Sequence, residues 1–265
     1  MISPLAHVDP DAVIGKDVTI HPFAFVSKNT VIGDGAVIYP YASILNGTRI
    51  GARTKVYNGA IVGAEPQSFH WHGEPSLCVV GEDCLIREHT IINRSIYEGK
   101  ATVVGKKCFV MAESHIMHDA VIDDFVVVGN GVQIAGTAHV RSYTILSSNS
   151  LVHAGSDVGR WVLVKGGCRV NGNVPPYTVI GHNPATYCGV NAVAMRRGGK
   201  MSDDVIDAVA KCYRHVYESG TSVFNALRRI ELDIEPCAER DEIVEFIRSH
   251  ELDVVAAGGH TSVFD

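Results

Sequence analysis

Starting at Val8, an aliphatic residue returns at every sixth position: Val8, Ile14, Ile20, Val26, Ile32, Ile38, Ile44, Ile50, Val56 and Val62. The same register resumes with Val80, Ile86 and Ile92, and then runs from Val104 to Val170 without a gap. It is filled at 25 of the 28 positions it visits between 8 and 170, and every filled position except Leu146 is Val or Ile. A period of six fits neither a helix, with its 3.6-residue repeat, nor the alternation of a plain strand. It is the period of a hexapeptide β-helix, where each hexad makes one short strand and one corner and three hexads close a coil. Residues 18 apart then stack at the strand spacing of ~4.8 Å, and the aliphatic ladder fills the interior of a three-sided prism. At three hexads per turn the pattern makes roughly eight coils. Each buried Val or Ile contributes roughly 1.5–3 kcal/mol before chain entropy is subtracted.

The three failures, Ser68, Glu74 and Glu98, fall in two places, near 65–76 and near 95–102. The register returns intact after each, so both segments are expected to be loops thrown out from the coil. The first, EPQSFHWHGEPS, is polar and rich in His, Pro and Gly, as a surface excursion should be, and loops on a rigid scaffold are where binding groups gather. Glycine often follows the repeated residue, at 15, 33, 51, 63, 81, 105, 129 and 159, which predicts corners with unusual backbone angles. Beyond Val170 the prolines of NVPPYTVIGHNPATYCGVN exclude regular helix, and helical periodicity follows. Ser202 is the expected N-cap of a helix whose first turn carries Asp203 and Asp204 and which Gly220 stops. Ser222–Leu232 and Asp241–His250 read as two further short helices. The expected division is residues 1–190 for the β-helix and 191–265 for a small α-helical domain that caps the open end of the solenoid.

Composition narrows the function classes. A net charge of −6 and a pI near 6.1 argue against a nucleic-acid coat, which concentrates Lys and Arg to neutralise phosphates. The start MISPLAHVDPDAVIGKD has no basic stretch followed by an apolar run, and no later segment approaches ~20 apolar residues, so neither a signal peptide nor a transmembrane segment is expected. Seven cysteines, an odd number without a CxxC pair, fit neither a disulfide framework nor a zinc knuckle. They read as buried thiols of a cytoplasmic protein.

Among chemistry-bearing segments, His115-Ile116-Met117-His118-Asp119 stands first. Ile116 points inward by the register, which places its neighbours on the outside, and an imidazole beside a carboxylate is suited to act as a general base. A solvated surface pair is the alternative, and a metal site lacks further ligands at convincing spacing. Gly136 stands 18 residues after His118 and should stack one coil above it, where its N–H could stabilise an oxyanion; a plain corner glycine is the competing explanation. His153 lies further along the solenoid. His70 and His72 read as solvated loop histidines, and Arg196-Arg197 as a weak candidate phosphate clamp.

Over nearly its full length the chain resembles the acyl carrier protein-dependent UDP-N-acetylglucosamine O-acyltransferases, which begin lipid A synthesis. The resemblance rests on the hexads, Gln67 with Gly73-Glu74-Pro75, Ile86-Arg87-Glu88, His115-Ile116-x-His118-Asp119, Val174-Pro175-Pro176-Tyr177, Gly189-Val190-Asn191, Arg196-Arg197-Gly198 and the helical tail. It implies a mainly β fold, a left-handed parallel β-helix followed by the helical domain, assembled as a homotrimer with active sites between neighbouring β-helices. It implies transfer of a fatty, 3-hydroxylated acyl group from the phosphopantetheine arm of acyl carrier protein to the 3-hydroxyl of UDP-N-acetylglucosamine, with no metal and no dissociable cofactor. His118 would be the base, Asp119 its orienting partner and the Gly136 amide the oxyanion donor. Gln67, Ser68, His70, His115, His153, Asn191 and Arg197 would bind the sugar nucleotide, and Gly166 would help set acyl length. Arg196, Arg197, Lys200, Arg228 and Arg229 are candidates to attract the acidic carrier.

Ser68, His70, Thr137, Ala154 and Val193 depart from the residues usual at these positions: aspartate, lysine, histidine, glutamine and glutamate. Missing polar partners can redirect recognition. A 3-amino or other nucleotide sugar as acceptor, a short acyl-CoA as donor, and a silent β-helix used for binding or assembly therefore stay open on the sequence alone.

Overall fold

The computed structural model describes residues 1–257, so the last eight positions of the expected helical domain lie outside the described residues. The chain is a left-handed parallel β-helix with three faces. Face 1 has nine strands beginning with His7–Val8, face 2 has eight beginning with Val13–Ile14, and face 3 has ten beginning with Thr19–Ile20. Most strands are two residues long, one pointing out and one in. The inward member is the repeated aliphatic: Ile20, Ile38, Ile86, Ile116, Ile134 and Val152 are all fully buried in one continuous core.

Neighbouring coils pair in parallel at the expected spacing, for example Val8 with Val26 and Ile116 with Ile134, each 18 apart. Across the first excursion the partners are Ile50 with Val80 and Val62 with Ile92, 30 apart, which is the normal spacing plus two skipped hexads. Across the second they are Val80 with Val104 and Ile92 with Ile116, 24 apart, one skipped hexad. The three irregular positions are thus whole hexads lifted out without disturbing the ladder. Both excursions leave from the same edge: the first lies between Ile61–Ala64 of face 1 and Leu77–Val80 of face 2, the second between Ile91–Asn93 and Ala101–Val104.

The corner glycines have a different cause from the one the pattern suggested. Of the eight that follow the repeated residue, only Gly63 has a positive φ, +83°. The positive φ falls instead three residues after the inward aliphatic, mostly on side-chain-bearing residues such as Asp119 (+61°) and Tyr143 (+63°). What the glycines supply is room. A Cβ on Gly81 would lie 2.6 Å from the carbonyl carbon and oxygen of Gly105 in the next coil, and one on Gly51 would lie 2.3 Å from the carbonyl carbon of Gly81.

After the last coil, Thr178–Gly181 pairs antiparallel with Thr186–Val190, which is the structure the proline-rich segment adopts. Four helices follow: α1 (Ala192–Arg197), α2 (Asp203–Tyr217), α3 (Val223–Asp233) and α4 (Ala238–Ser249). Ser202 and Ser222 cap α2 and α3 by accepting from the N–H of Val205 and of Asn225. The expected third helix begins three residues earlier than its pattern suggested, capped by Cys237, and α1 was not foreseen. The apolar faces of α2, α3 and α4 close over Trp161 and Tyr177 in a second core. Tyr177 donates its hydroxyl to Glu242 and Tyr213 donates to the Pro176 carbonyl, so the VPPY segment fastens the helical cap to the end of the prism.

The cysteines are corrected in part: all seven are free thiols, but Cys188 is exposed and Cys237 half-buried. Burial pushes the Cys78 thiol up to about 12, which leaves it inert.

Because coil spacing leaves no space for a side chain, Gly81→Ala should destabilise the fold by about 1–3 kcal/mol. Gly172 faces open space with no positive φ, so Gly172→Ala should be neutral or slightly stabilising. Thermal or denaturant unfolding of the two variants checks the contrast; equal effects would mean that coil approach is not the constraint.

Candidate active site

The edge between faces 1 and 2 carries a column of corners one above another. From the first excursion upward it presents Gln67, Ser68 and His70, then the second excursion, then His118-Asp119, then Gly136, then His153-Ala154. The hexad register therefore gathers on one edge residues spread over nearly ninety positions of sequence.

His118 and Asp119 follow inward-pointing Ile116 at the corner. His118 Nδ1 lies 2.9 Å from Asp119 Oδ2. An ionised carboxylate only accepts, so Nδ1 carries the proton and Nε2 is left as the ring's acceptor. Both side chains are mostly covered, 15% and 11% exposed, and a carboxylate held away from water needs donors to remain charged. Three serve Asp119: the His118 ring, the Ser95 hydroxyl and the Ile96 N–H at 3.3 Å. Its own N–H donates to Thr102 Oγ1 at 2.7 Å.

Gly136 lies against the His118 ring. A Cβ there would come within 2.7 Å of Cε1 and 3.1 Å of both ring nitrogens, so the missing side chain is what lets the imidazole lie flat on the next coil. Among the described residues the Gly136 N–H has no hydrogen-bond partner. His115, on the outer side of face 1, places Nε2 2.6 Å from Asn93 Oδ1, and burial holds its imidazole below the ordinary histidine value.

Beside this edge a groove of about 420 Å³ runs along face 1. Met117, Ala135, Leu151 and Ala154 give it an apolar lining, and Gln133, His153 and Arg169 add polar groups, Arg169 Nε donating to His153 Nε2 at 2.8 Å. Gly166 is exposed at the opposite edge of face 1, where only the Ser148 carbonyl comes near.

Not every candidate joins this group. Asn191 is buried and its side-chain amide donates to the Trp161 carbonyl at 2.9 Å; Arg197 is exposed in α1, next to Gly198, which packs on the Trp161 ring. Trp161 stands on the edge between faces 2 and 3, in a stack with Tyr143 and Phe125. Within one chain, Asn191 and Arg197 thus occupy a different edge from His118. In the first excursion Gln67 and His70 are exposed, and Ser68 Oγ accepts from the His70 N–H at 3.2 Å. Ser95, Thr102, Asn93 and Arg169 escaped sequence reasoning. Ser95 stands 24 residues before Asp119, which is the coil spacing across the second excursion, so its place beneath the carboxylate follows once that spacing is known.

Comparison with known proteins places the chain. A model described as UDP N-acetylglucosamine O-acyltransferase, domain 2, matches residues 173–255, and one for bacterial transferase hexapeptides matches residues 101–136. A model of the GMPPB C-terminal domain matches residues 2–104. The acyl-(acyl carrier protein)–UDP-N-acetylglucosamine O-acyltransferase of Sinorhizobium fredii is 34% identical over 93% of this chain and 91% of its own length. The enzyme of the same name from Pseudomonas putida is 37% identical over 94% and 95%. The chain belongs to this acyltransferase family. The crystal structure of a UDP-N-acetylglucosamine acyltransferase from Bacteroides fragilis superposes with a TM-score of 0.93 at 38% identity, covering 98% of this chain and all of that one. As an acyltransferase, the chain has its own imidazole and carboxylate in hydrogen-bond contact beside an apolar groove.

Adding a methyl group at Gly136 should displace the His118 ring, the more mobile of the two contacting groups. Since misplacing a catalytic group by about 1 Å can cost about 100-fold, Gly136→Ala should lower acyl transfer by that order with the unfolding temperature little changed. Full activity in that variant would show that the His118 ring need not lie on this coil.

Proposed function

We propose that this acyltransferase moves a fatty, 3-hydroxylated acyl group from acyl carrier protein to the 3-hydroxyl of UDP-N-acetylglucosamine, the first step of lipid A synthesis, with His118 as general base. The observation that carries the mechanism is the His118–Asp119 pair seated on Gly136. Asp119 fixes the tautomer, so Nε2 takes the proton of the sugar hydroxyl as the oxygen attacks the thioester carbonyl carbon. The oxyanion that forms accepts the free Gly136 N–H, a fixed donor that needs no reorganisation as charge develops. Collapse breaks the carbon–sulfur bond, and the proton held on His118 passes to the departing phosphopantetheine thiolate. The thioester is already activated, so the chemistry calls on no metal and no redox group.

The apolar groove of face 1 suits an acyl chain, and Gly166, without a side chain at the far edge of that face, suits a role in setting its length. Gln67, Ser68, His70, His115 and His153 lie on or beside the edge that carries His118 and are assigned to the sugar nucleotide. Asn191 and Arg197 are assigned to it as well, although they occupy another edge. That separation supports a homotrimer, in which the edge of one copy faces that of its neighbour and each site draws on two chains. Exposed Arg197, Lys200, Arg228 and Arg229 fit the acidic carrier protein. No helix among the described residues is long and apolar enough to cross a membrane, and we place the reaction in the cytoplasm, where both substrates are soluble.

His118→Ala should reduce turnover with acyl carrier protein thioester and UDP-N-acetylglucosamine by about 10²–10⁴-fold, with assembly and melting temperature preserved. Product formation followed by mass spectrometry checks it, and undiminished turnover would remove His118 from the mechanism.

A further inference from the structure

We infer that Ser95 is a positioning residue for the acyl transfer, acting through Asp119 on His118. The inference rests on the mechanism proposed above and extends it by one residue. Ser95 is fully buried at the base of the second excursion. Its hydroxyl donates to Asp119 Oδ1, and the next residue's N–H, from Ile96, donates to Oδ2. His118 uses Oδ2 as well. Oδ1 is therefore free to anchor the carboxylate plane while Oδ2 receives the imidazole. Without the Ser95 hydroxyl, Asp119 would keep both Oδ2 contacts but lose the one that sets its rotation about the Cβ–Cγ bond, and the imidazole would lose its fixed direction.

The hydroxyl is itself held. Ser95 Oγ accepts from the Tyr97 N–H at 2.9 Å, and of its two possible acceptors, Asp119 Oδ1 and the Tyr97 carbonyl at 3.4 Å, the carboxylate is the nearer and takes the proton. The Ser95 carbonyl accepts from the Ser76 hydroxyl, at the end of the first excursion, and the Ser95 N–H donates to the Leu77 carbonyl at 3.2 Å. The chain of contacts Ser76, Ser95, Asp119, His118 thus runs from the root of the first loop, through the root of the second, to the proton-accepting ring. Most of what fixes Ser95 is backbone and survives its truncation to alanine. Two groups lose a partner: Asp119 Oδ1, which is the effect to be read, and the Tyr97 N–H, which belongs to an exposed residue and has water within reach.

The test is a double-mutant cycle read in kcat and KM with acyl carrier protein thioester and UDP-N-acetylglucosamine. Ser95→Ala should lower kcat by about 10–100-fold, the order expected when a catalytic group loses its fixed direction, while KM for the sugar nucleotide stays within about twofold. In an Asp119→Gly background, chosen because φ is +61° at that position, the same substitution should change kcat by less than about threefold, since the carboxylate it orients is gone. Ser95→Cys keeps the volume but is a weak donor, and gives the same comparison should the alanine chain fail to fold. Equal fold-losses in the two backgrounds, or unchanged kcat in Ser95→Ala, would overturn the inference. A dead His118→Ala beside a fully active Ser95→Ala would sink this inference alone, whereas a fully active His118→Ala would sink it together with the mechanism it rests on.

Discussion

Stacking of one coil on the next is the constraint from which the rest follows. Each inward Val or Ile sits directly over its counterpart in the coil below, and the ladder between them is made of backbone hydrogen bonds, so the spacing along the prism cannot slip by a residue without turning the core outward. The same rigidity applies to the outside. A side chain two positions after an inward aliphatic must lie over the residue two positions after the next one. His118 over Gly136 is that relation, and the glycine is what makes the contact close enough to hold an aromatic ring flat.

Burial then decides which charges the edge can keep. Asp119 is mostly covered, and both of its oxygens find donors, in the imidazole and at the root of the second excursion. A carboxylate satisfied in this way stays an acceptor, and an imidazole whose Nδ1 is committed to it has only Nε2 left for chemistry. The second excursion, which in sequence is merely a gap in a repeat, is therefore part of the apparatus that fixes the tautomer of His118.

Much of this was legible in the sequence, and for identifiable reasons. The hexad ladder fixed the inward positions, and the two skipped stretches proved to be whole hexads, because only whole hexads let the register resume. His118, Asp119 and Gly136 could be placed on one outer edge by counting from Ile116 and Ile134. Ser95 could not, because its relation to Asp119 depends on knowing that one hexad is lifted out between them; counting 18 from Asp119 lands on Ala101. The corner glycines were recognised by position but not by cause, since the approach of the neighbouring backbone leaves no mark in a single hexad. Cys188 was misjudged because it lies in the final antiparallel pair, beyond the register that hides Cys78, Cys84, Cys108 and Cys168. The helices announced themselves through Ser202 and Ser222, while α1, six residues long with no side-chain cap, carried no such signal.

What one chain does not bring together is equally informative. His118 belongs to the edge between faces 1 and 2, and Asn191 and Arg197 belong to the cap over the edge between faces 2 and 3, so the proposal that one sugar nucleotide touches all three rests on two copies meeting. The most direct check of this account is a crystal structure of the enzyme with its acylated UDP-sugar product. The account predicts the ester oxygen within about 3.2 Å of His118 Nε2, the acyl chain along Met117 and Leu151, and the nucleotide reaching Arg197 of an adjacent copy. A product seated with its ester beyond reach of His118 would contradict it.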